Sequence, residues 1–243
     1  MKALLRWIGL VALAAIALQL FFVLRIAAMV VIDPQSTSFQ RSEVWQQLRS
    51  GGVQWRQQWV PYDQIADTLK RAVIASEDDG FVNHDGVDWN AIEKAWERNN
   101  RAEQQAAKAS ARTPDRPVRA AKIRGGSTIT QQLAKNLLLS GERTMLRKGQ
   151  EFVLTLLLER LLSKQRILEI YLNNVEWGDG VFGAEAAAQR YYKKSASRLS
   201  AQEAARLAVM LPAPKRFEKN TGSAYIAGRT RTIMGRMGSA ELP

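Results

Sequence analysis

Cysteine is absent from the 243 residues, and histidine occurs once, as His84. The first absence excludes a disulfide framework, a thiolate metal site and a cysteine nucleophile. The second excludes a two-histidine metal motif and leaves a Ser-His-Asp triad a single residue to draw on. Period-2 alternation is scarce as well, so the fold is expected to be all-α or nearly so. Acidic residues number 23 against 35 Lys and Arg, giving a net charge of +12 and a pI near 10.2. That balance points to an anionic partner: nucleic acid, a membrane surface or a phosphorylated substrate. Charge alone does not choose among them, and a basic soluble surface is the plainer alternative. Hydrophobic residues make up 46% of the chain, which excludes wholesale disorder. Any catalysis has to rest mainly on carboxylates, lysines and arginines.

The long apolar run is at the N-terminus. Residues 7–24 read WIGLVALAAIALQLFFVL, 18 positions with Gln19 the only strongly polar one. At about 1.5 Å of rise per residue this approaches the thickness of a hydrocarbon core. The run is apolar on every face, unlike a helix at the edge of a soluble core. Lys2 and Arg6 precede it, so the positive-inside rule places the N-terminus in the cytoplasm and everything after Asp33 outside. A cleaved signal peptide is the rival reading. The stretch is long for its apolar region, and no convincing A-x-A cleavage site stands before Asp33. We therefore expect a retained single-pass anchor.

Beyond a linker near residues 34–39 the pattern is helical. Ile65, Leu69 and Val73 recur every fourth position and predict a helix ending near Ser76 and Glu77. Further helices are expected over 89–97, 127–139, 148–162 and 164–173, the last capped by Ser163. Residues 178–183 read as a loop. Ser200 and Glu203 have capping-box spacing ahead of AARLAVML, which stops at Pro212. Residues 98–124 hold eight basic and two acidic residues, Pro114 and Pro117, and almost no large apolar side chain. This stretch is expected to be a mobile surface loop.

Three segments carry groups suited to chemistry. EDDGFVNHDGVD, residues 77–88, sets three acids at the end of a helix, where the macrodipole disfavours negative charge. Catalysis, a cation site and a solvated acidic turn all fit that pattern. GGSTITQQLAKN, residues 125–136, offers Ser127, Thr128, Thr130, Gln131 and Gln132 with Lys135 one turn on. Such a face suits sugar hydroxyls or phosphates, and the glycine spacing is not that of a P-loop. RTMLRKGQE, residues 143–151, spaces Arg147 and Glu151 four apart, within reach on one helix face. A surface ion pair is the bland reading there.

Together with KQRILEIYLNNVEWG (164–178) and KKSASRLSAQEAARLAVMLPAPKRF (193–217), these segments resemble, in order, the five motifs of the peptidoglycan glycosyltransferases, glycosyltransferase family 51. The resemblance covers about residues 60–217. It implies a lysozyme-like helical domain at 60–217 with a tail of the same domain at 218–243, behind an anchor at 1–32 and a linker at 33–59. The chain ends about 30 residues after the last motif, which leaves no room for a transpeptidase domain. The implied reaction polymerises lipid II into β-1,4 glycan strands and releases undecaprenyl diphosphate. By the match to its motifs, Glu77 is the general base and Glu151 the second carboxylate. Lys135, Arg143, Arg147 and Lys148 bind the diphosphate. Ser127, Thr128, Gln131 and Gln132 line the site, Phe81 lies near the cleft and the bilayer, and Asn173 joins the substrate-binding group. For His84 we expect a structural hydrogen bond, for Tyr171 an orienting role, and for Trp177 either a core or a membrane-interface position.

No cofactor is required and no metal ligand cluster is expected, although some relatives use a divalent cation. The implied partners are lipid II, the growing glycan chain and the membrane, with other cell-wall synthesis proteins compatible and nucleic acid excluded by the outward topology. The implied location is the bacterial inner membrane with the catalytic part on the periplasmic side. A hydrolase of the same fold also uses a carboxylate pair, but it has no need of a cationic diphosphate clamp. A non-enzymatic scaffold or nucleic-acid binder would explain the charge but not two separated glutamates within polar motifs.

Overall fold

The computed structural model describes residues 1–112, 126–142 and 144–243. The expected mainly α architecture is the observed one. Helix α1 (Lys2–Ala28) is the apolar N-terminal segment, 27 residues long and long enough to cross a membrane. Most of its surface is exposed, but Phe22 and Ile26, and Met29 just past its end, are buried against the rest of the chain.

Helix α2 (Ser38–Ser50) and strand β1 (Arg56–Gln57) follow. They correct the linker expected at 33–59. The signal was local: Thr37 and Gln40 form a reciprocal capping box, with bonds of 3.0 and 2.8 Å. Gly51 closes the helix at φ 99°. The helix lacks an apolar stripe because its buried face is polar: Gln40, Glu43 and Gln47.

Helix α3 (Asp67–Glu77) buries Leu69 and Val73 as their spacing predicts. Helix α4 (Trp89–Arg112) corrects the mobile loop expected at 98–124. Residues 98–112 are rich in Ala, Gln, Glu, Arg and Lys, all good helix formers. A solvated helix needs no large apolar residues, and their scarcity does not mark a loop. The remainder of that expectation, 113–124, lies outside the described residues.

Helices α5 (Ile129–Leu138), α6 (Met145–Leu161) and α7 (Lys164–Asn174) match the expected segments within a few residues. Ser163 caps α7, accepting from the Arg166 N–H at 3.2 Å. Strands β2 (Glu176–Gly178) and β3 (Val181–Phe182) form an antiparallel hairpin where a loop was expected, and β1 adds in parallel to β3. Gly180 makes the turn at φ 67°, and any Cβ there would sit 2.0 Å from the Gln54 carbonyl oxygen. Helices α8 (Ala184–Tyr192), α9 (Ala201–Met210), α10 (Pro214–Glu218) and α11 (Ala224–Arg236) complete the chain. The Ser200–Glu203 capping box forms as its spacing predicts. The expected tail at 218–243 is structured, since α11 packs on α9 and α3. Trp177 is fully buried, which makes it core and not an interface anchor.

Candidate active site

Glu77 ends α3. It is the last helical residue, and the chain turns away at Asp78 with φ −161°. The residue is half-buried, and its carboxylate is held at both oxygens. The Ser76 hydroxyl donates to Oε1 at 3.2 Å, and the Gln132 amide donates to Oε2 at 3.1 Å. The Tyr171 hydroxyl in turn donates to Gln132 Oε1 at 3.0 Å. Burial pushes the Glu77 carboxyl above its ordinary value of 4.5; the bonds from Gln132 and Ser76 and the charge of Arg229 oppose that rise, and Asp78 adds to it. Burial, with Glu77 and Asp78 adding, also holds the Tyr171 phenol well above its ordinary range, so it stays a donor.

The neighbouring acid has a different job. Asp78 is buried, and its Oδ2 accepts from the Ile129 N–H at 2.9 Å, at the N-terminus of α5. A carboxylate there satisfies an orphan donor and complements the helix dipole. Its Oδ1 meets His84 Nε2 at 2.8 Å. His84 Nδ1 accepts from the Gly86 N–H at 3.1 Å, so Nε2 is the donating nitrogen. The expected structural role of His84 is the one its bonds describe.

Several side chains expected to line the site are spent elsewhere. Thr128 caps α5, accepting from the Gln131 N–H at 3.1 Å and donating to the Gly86 carbonyl at 2.6 Å. The Gln131 side chain returns the bond by accepting from the Thr128 N–H at 3.1 Å. Both are buried, so the polar face read as a binding surface is partly a capping box. Phe81 is fully buried, edge-on to His84 and under the Lys164 ammonium at 4.6 Å, and so does not face a cleft. Asn173 is fully buried as well. Its amide donates to the carbonyls of Val60 and Glu169, and its oxygen accepts from the Val60 N–H, all at 2.9 Å. It fastens the start of the domain to α7 and has no group left for substrate. Ser127 stays exposed just ahead of the cap.

The second carboxylate is on α6, whose first turn is capped by Thr144, accepting from the Arg147 N–H at 3.2 Å. Glu151 is buried at 3% exposure and carries two cations. Arg147 Nη1 donates to Oε2 at 2.8 Å and the Lys148 ammonium pairs with Oε1. Lys148 is half-exposed, whereas Arg147 is mostly covered. The Arg147 Nε–H is buried and has no partner among the described residues. Arg147 and Lys135 line one cavity of about 320 Å³, together with Glu43 and Gln46 of α2 and Ser140 and Glu142. Arg143 lies outside the described residues.

Helix α5 joins the two centres. Gln132 touches Glu77, and Lys135, three residues on and so on the same face, shares a cavity with the partner of Glu151. A larger cavity of about 540 Å³ lies elsewhere, between Asp85 and the outer face of α6 at Val153 and Leu156, and holds none of the expected residues. Among the described residues, one group of carboxylates is close enough to share a cation: Glu43, Glu176 and Asp179, with oxygens within 4.8 Å. The Lys215 ammonium already sits among them, paired with Glu43, 3.6 Å from Glu176 and 3.5 Å from Asp179. Burial pushes the Glu176 carboxyl up to about 7 against the pull of that ammonium.

Comparison with known proteins bears on what this arrangement does. Residues 42–238 match the family model described as Transglycosylase. The chain is similar to the biosynthetic peptidoglycan transglycosylase of Paraburkholderia xenovorans (strain LB400), 51% identical over 98% of this chain and 94% of that protein. It is 52% identical to the protein of that name from Herminiimonas arsenicoxydans, over 100% of this chain and 99% of that one. For the Burkholderia pseudomallei (strain K96243) protein of the same name the figures are 51%, 98% and 88%.

Proposed function

This chain belongs to the transglycosylase family and is a peptidoglycan glycosyltransferase of cell-wall synthesis, and on that premise we propose that it polymerises lipid II with Glu77 as general base. The GlcNAc 4-hydroxyl of one lipid II attacks the anomeric carbon of the growing chain, and undecaprenyl diphosphate leaves. A neutral hydroxyl is a poor nucleophile, and a carboxylate within hydrogen-bond reach takes its proton as the new bond forms. The observation that carries the assignment is the clamp on Glu77: Ser76 and Gln132 fix both oxygens of the carboxylate of a half-buried residue. Tyr171 fixes Gln132 in turn, so the acceptor oxygens are aimed before substrate arrives.

The leaving diphosphate needs positive charge. Lys135 and Arg147 line one cavity, Lys148 stands beside Arg147 on Glu151, and the Arg147 Nε–H, which has no partner among the described residues, is a donor for an incoming phosphate oxygen. Glu151 holds Arg147 and Lys148 in place. Arg143 joins them by its place in the motif. A hydrolase of like fold would have no use for this cluster, which favours transfer over hydrolysis. We place the catalytic unit from α2 through α11, since Glu43 of α2 faces the cationic cavity and α11 covers α3. Purified protein with labelled lipid II is expected to produce long glycan strands, with and without chelator. Shortening of preformed strands without synthesis would overturn the reading.

We place α1 in the inner membrane, with the catalytic unit on the periplasmic side. Lys2 and Arg6 precede the apolar run and support that direction. A reporter that works only outside the cytoplasm, fused after Pro243, is expected to be active. Activity of a cytoplasm-only reporter at that position would reverse the orientation, and mature protein beginning near Asp33 would show cleavage.

A further inference from the structure

Gln19 is the one strongly polar side chain in the apolar run at 7–24, and the fold gives it a partner. Its amide donates to Gln150 Oε1 at 2.9 Å, and the Gln150 amide donates back to Gln19 Oε1 at 3.1 Å. The pair is reciprocal, so each amide gives and receives one bond. Gln19 also shares a stripe with the buried residues of α1. Gln19, Phe22, Ile26 and Met29 are spaced three, four and three apart, which puts them on one helix face. Phe22, Ile26 and Met29 are 7%, 0% and 4% exposed, while most of α1 is open. Arg166 of α7 fastens the lower end, donating to the Met29 carbonyl at 2.8 Å and pairing with Asp33 at 2.7 Å. Helix α1 packs directly on α6, and Gln150 immediately precedes Glu151.

We propose that the Gln19–Gln150 amide pair clamps the membrane helix to α6, making Gln19 and Gln150 positioning residues for Glu151. A flexible tether would need no polar group within its apolar run, and an unpaired amide there is costly because hydrocarbon offers it no hydrogen-bond partner. Pairing removes that cost only in the one register of α1 against α6 that brings the two amides together. The clamp therefore specifies the level and rotation of α6, and with them the place of Glu151 and its two cations relative to the bilayer that delivers the substrate. The inference rests on the reading of Glu151 as a site residue.

The absence of native cysteine makes the contact directly testable. The probe is a short bifunctional maleimide, applied to full-length Gln19→Cys/Gln150→Cys protein in phospholipid vesicles containing lipid II. An intramolecular cross-link is expected for this pair and not for Ala12→Cys/Gln150→Cys, whose first position lies about 10 Å further along α1. In parallel, Gln19→Leu and Gln150→Leu are each expected to lower turnover about 3- to 30-fold, the range an interhelical hydrogen bond made by a membrane helix is worth. The lipid II concentration at half-maximal rate should hold, because the loss falls on a group acting in the transition state. The double leucine variant is expected to recover most of the rate, since two apolar groups pack where one orphaned amide does not. Failure of the cross-link in protein that polymerises normally would overturn the clamp. Wild-type turnover in both single variants would overturn its positioning role. Wild-type turnover in Glu151→Gln would instead remove the reading of Glu151 and leave the cross-link in place.

Discussion

Glu77→Gln is expected to lower lipid II polymerisation at least ~100-fold, the usual scale for a general base, while making the folded protein more stable at neutral pH. The two effects have one origin. The amide keeps the size of the side chain and can still accept from Gln132, but it cannot take a proton. Burial raises the carboxyl above its ordinary 4.5. An acid whose folded-state pKa lies above its unfolded value holds its proton more tightly in the folded chain. Its ionisation therefore costs stability, beginning as the pH rises past 4.5 and complete above the folded value. The glutamine variant escapes that cost. Its melting temperature should exceed that of the wild type at pH 7, and the difference should close as the pH falls below the unfolded value. The same shift fixes the acid limb of activity, since the base must be ionised: polymerisation should fall away on the acid side above the ordinary carboxylate pKa. A folded Glu77→Gln protein that polymerises at near the wild-type rate would end the assignment.

Lys148→Ala is expected to cost ~100- to 1000-fold in rate, about 3–4 kcal/mol of transition-state stabilisation, if its ammonium meets the departing diphosphate. The geometry sets up a clear contrast. Lys148 pairs with Glu151 but is half-exposed, and Arg147 pairs with the same carboxylate from a more covered position. As an ion pair alone, an exposed lysine contributes under about 1 kcal/mol, and its removal would leave turnover unchanged. As a phosphate ligand it is free to turn from Glu151 to substrate while Arg147 keeps the carboxylate occupied. Lys148→Arg should retain part of the activity, because the charge survives while its geometry changes. Polymerisation rates and melting curves for both variants decide between these. An alanine variant with normal turnover would leave the clamp to Lys135, Arg143 and Arg147.

Some of this protein follows from neighbours in sequence. The unbroken apolar run makes α1 because hydropathy depends on composition alone. Ser163 and the Ser200–Glu203 box start their helices because each bond spans three residues. Pro212 stops α9 for an equally local reason. Helix α4 is written in its helix-forming residues too, although a solvated helix carries no broad apolar stripe to mark it. The two glutamates stand out through their motifs, and Arg147, Lys148 and Glu151 meet because they occupy one turn of one helix.

What the sequence alone did not decide is which polar groups remain available. Thr128 spends its hydroxyl on Gly86, 42 residues away, and Asn173 spends its amide on Val60, 113 away. Gln132 reaches Glu77 across 55 residues, and Tyr171 reaches Gln132 across 39. In the sequence Thr128, Gln131 and Gln132 look alike. After folding, the first two are capping groups and only the third holds the carboxylate. A side chain has few hydrogen bonds to give, and a buried one must make them inside the protein. Which partner receives them depends on what the packed helices bring alongside, and that is a property of the tertiary structure.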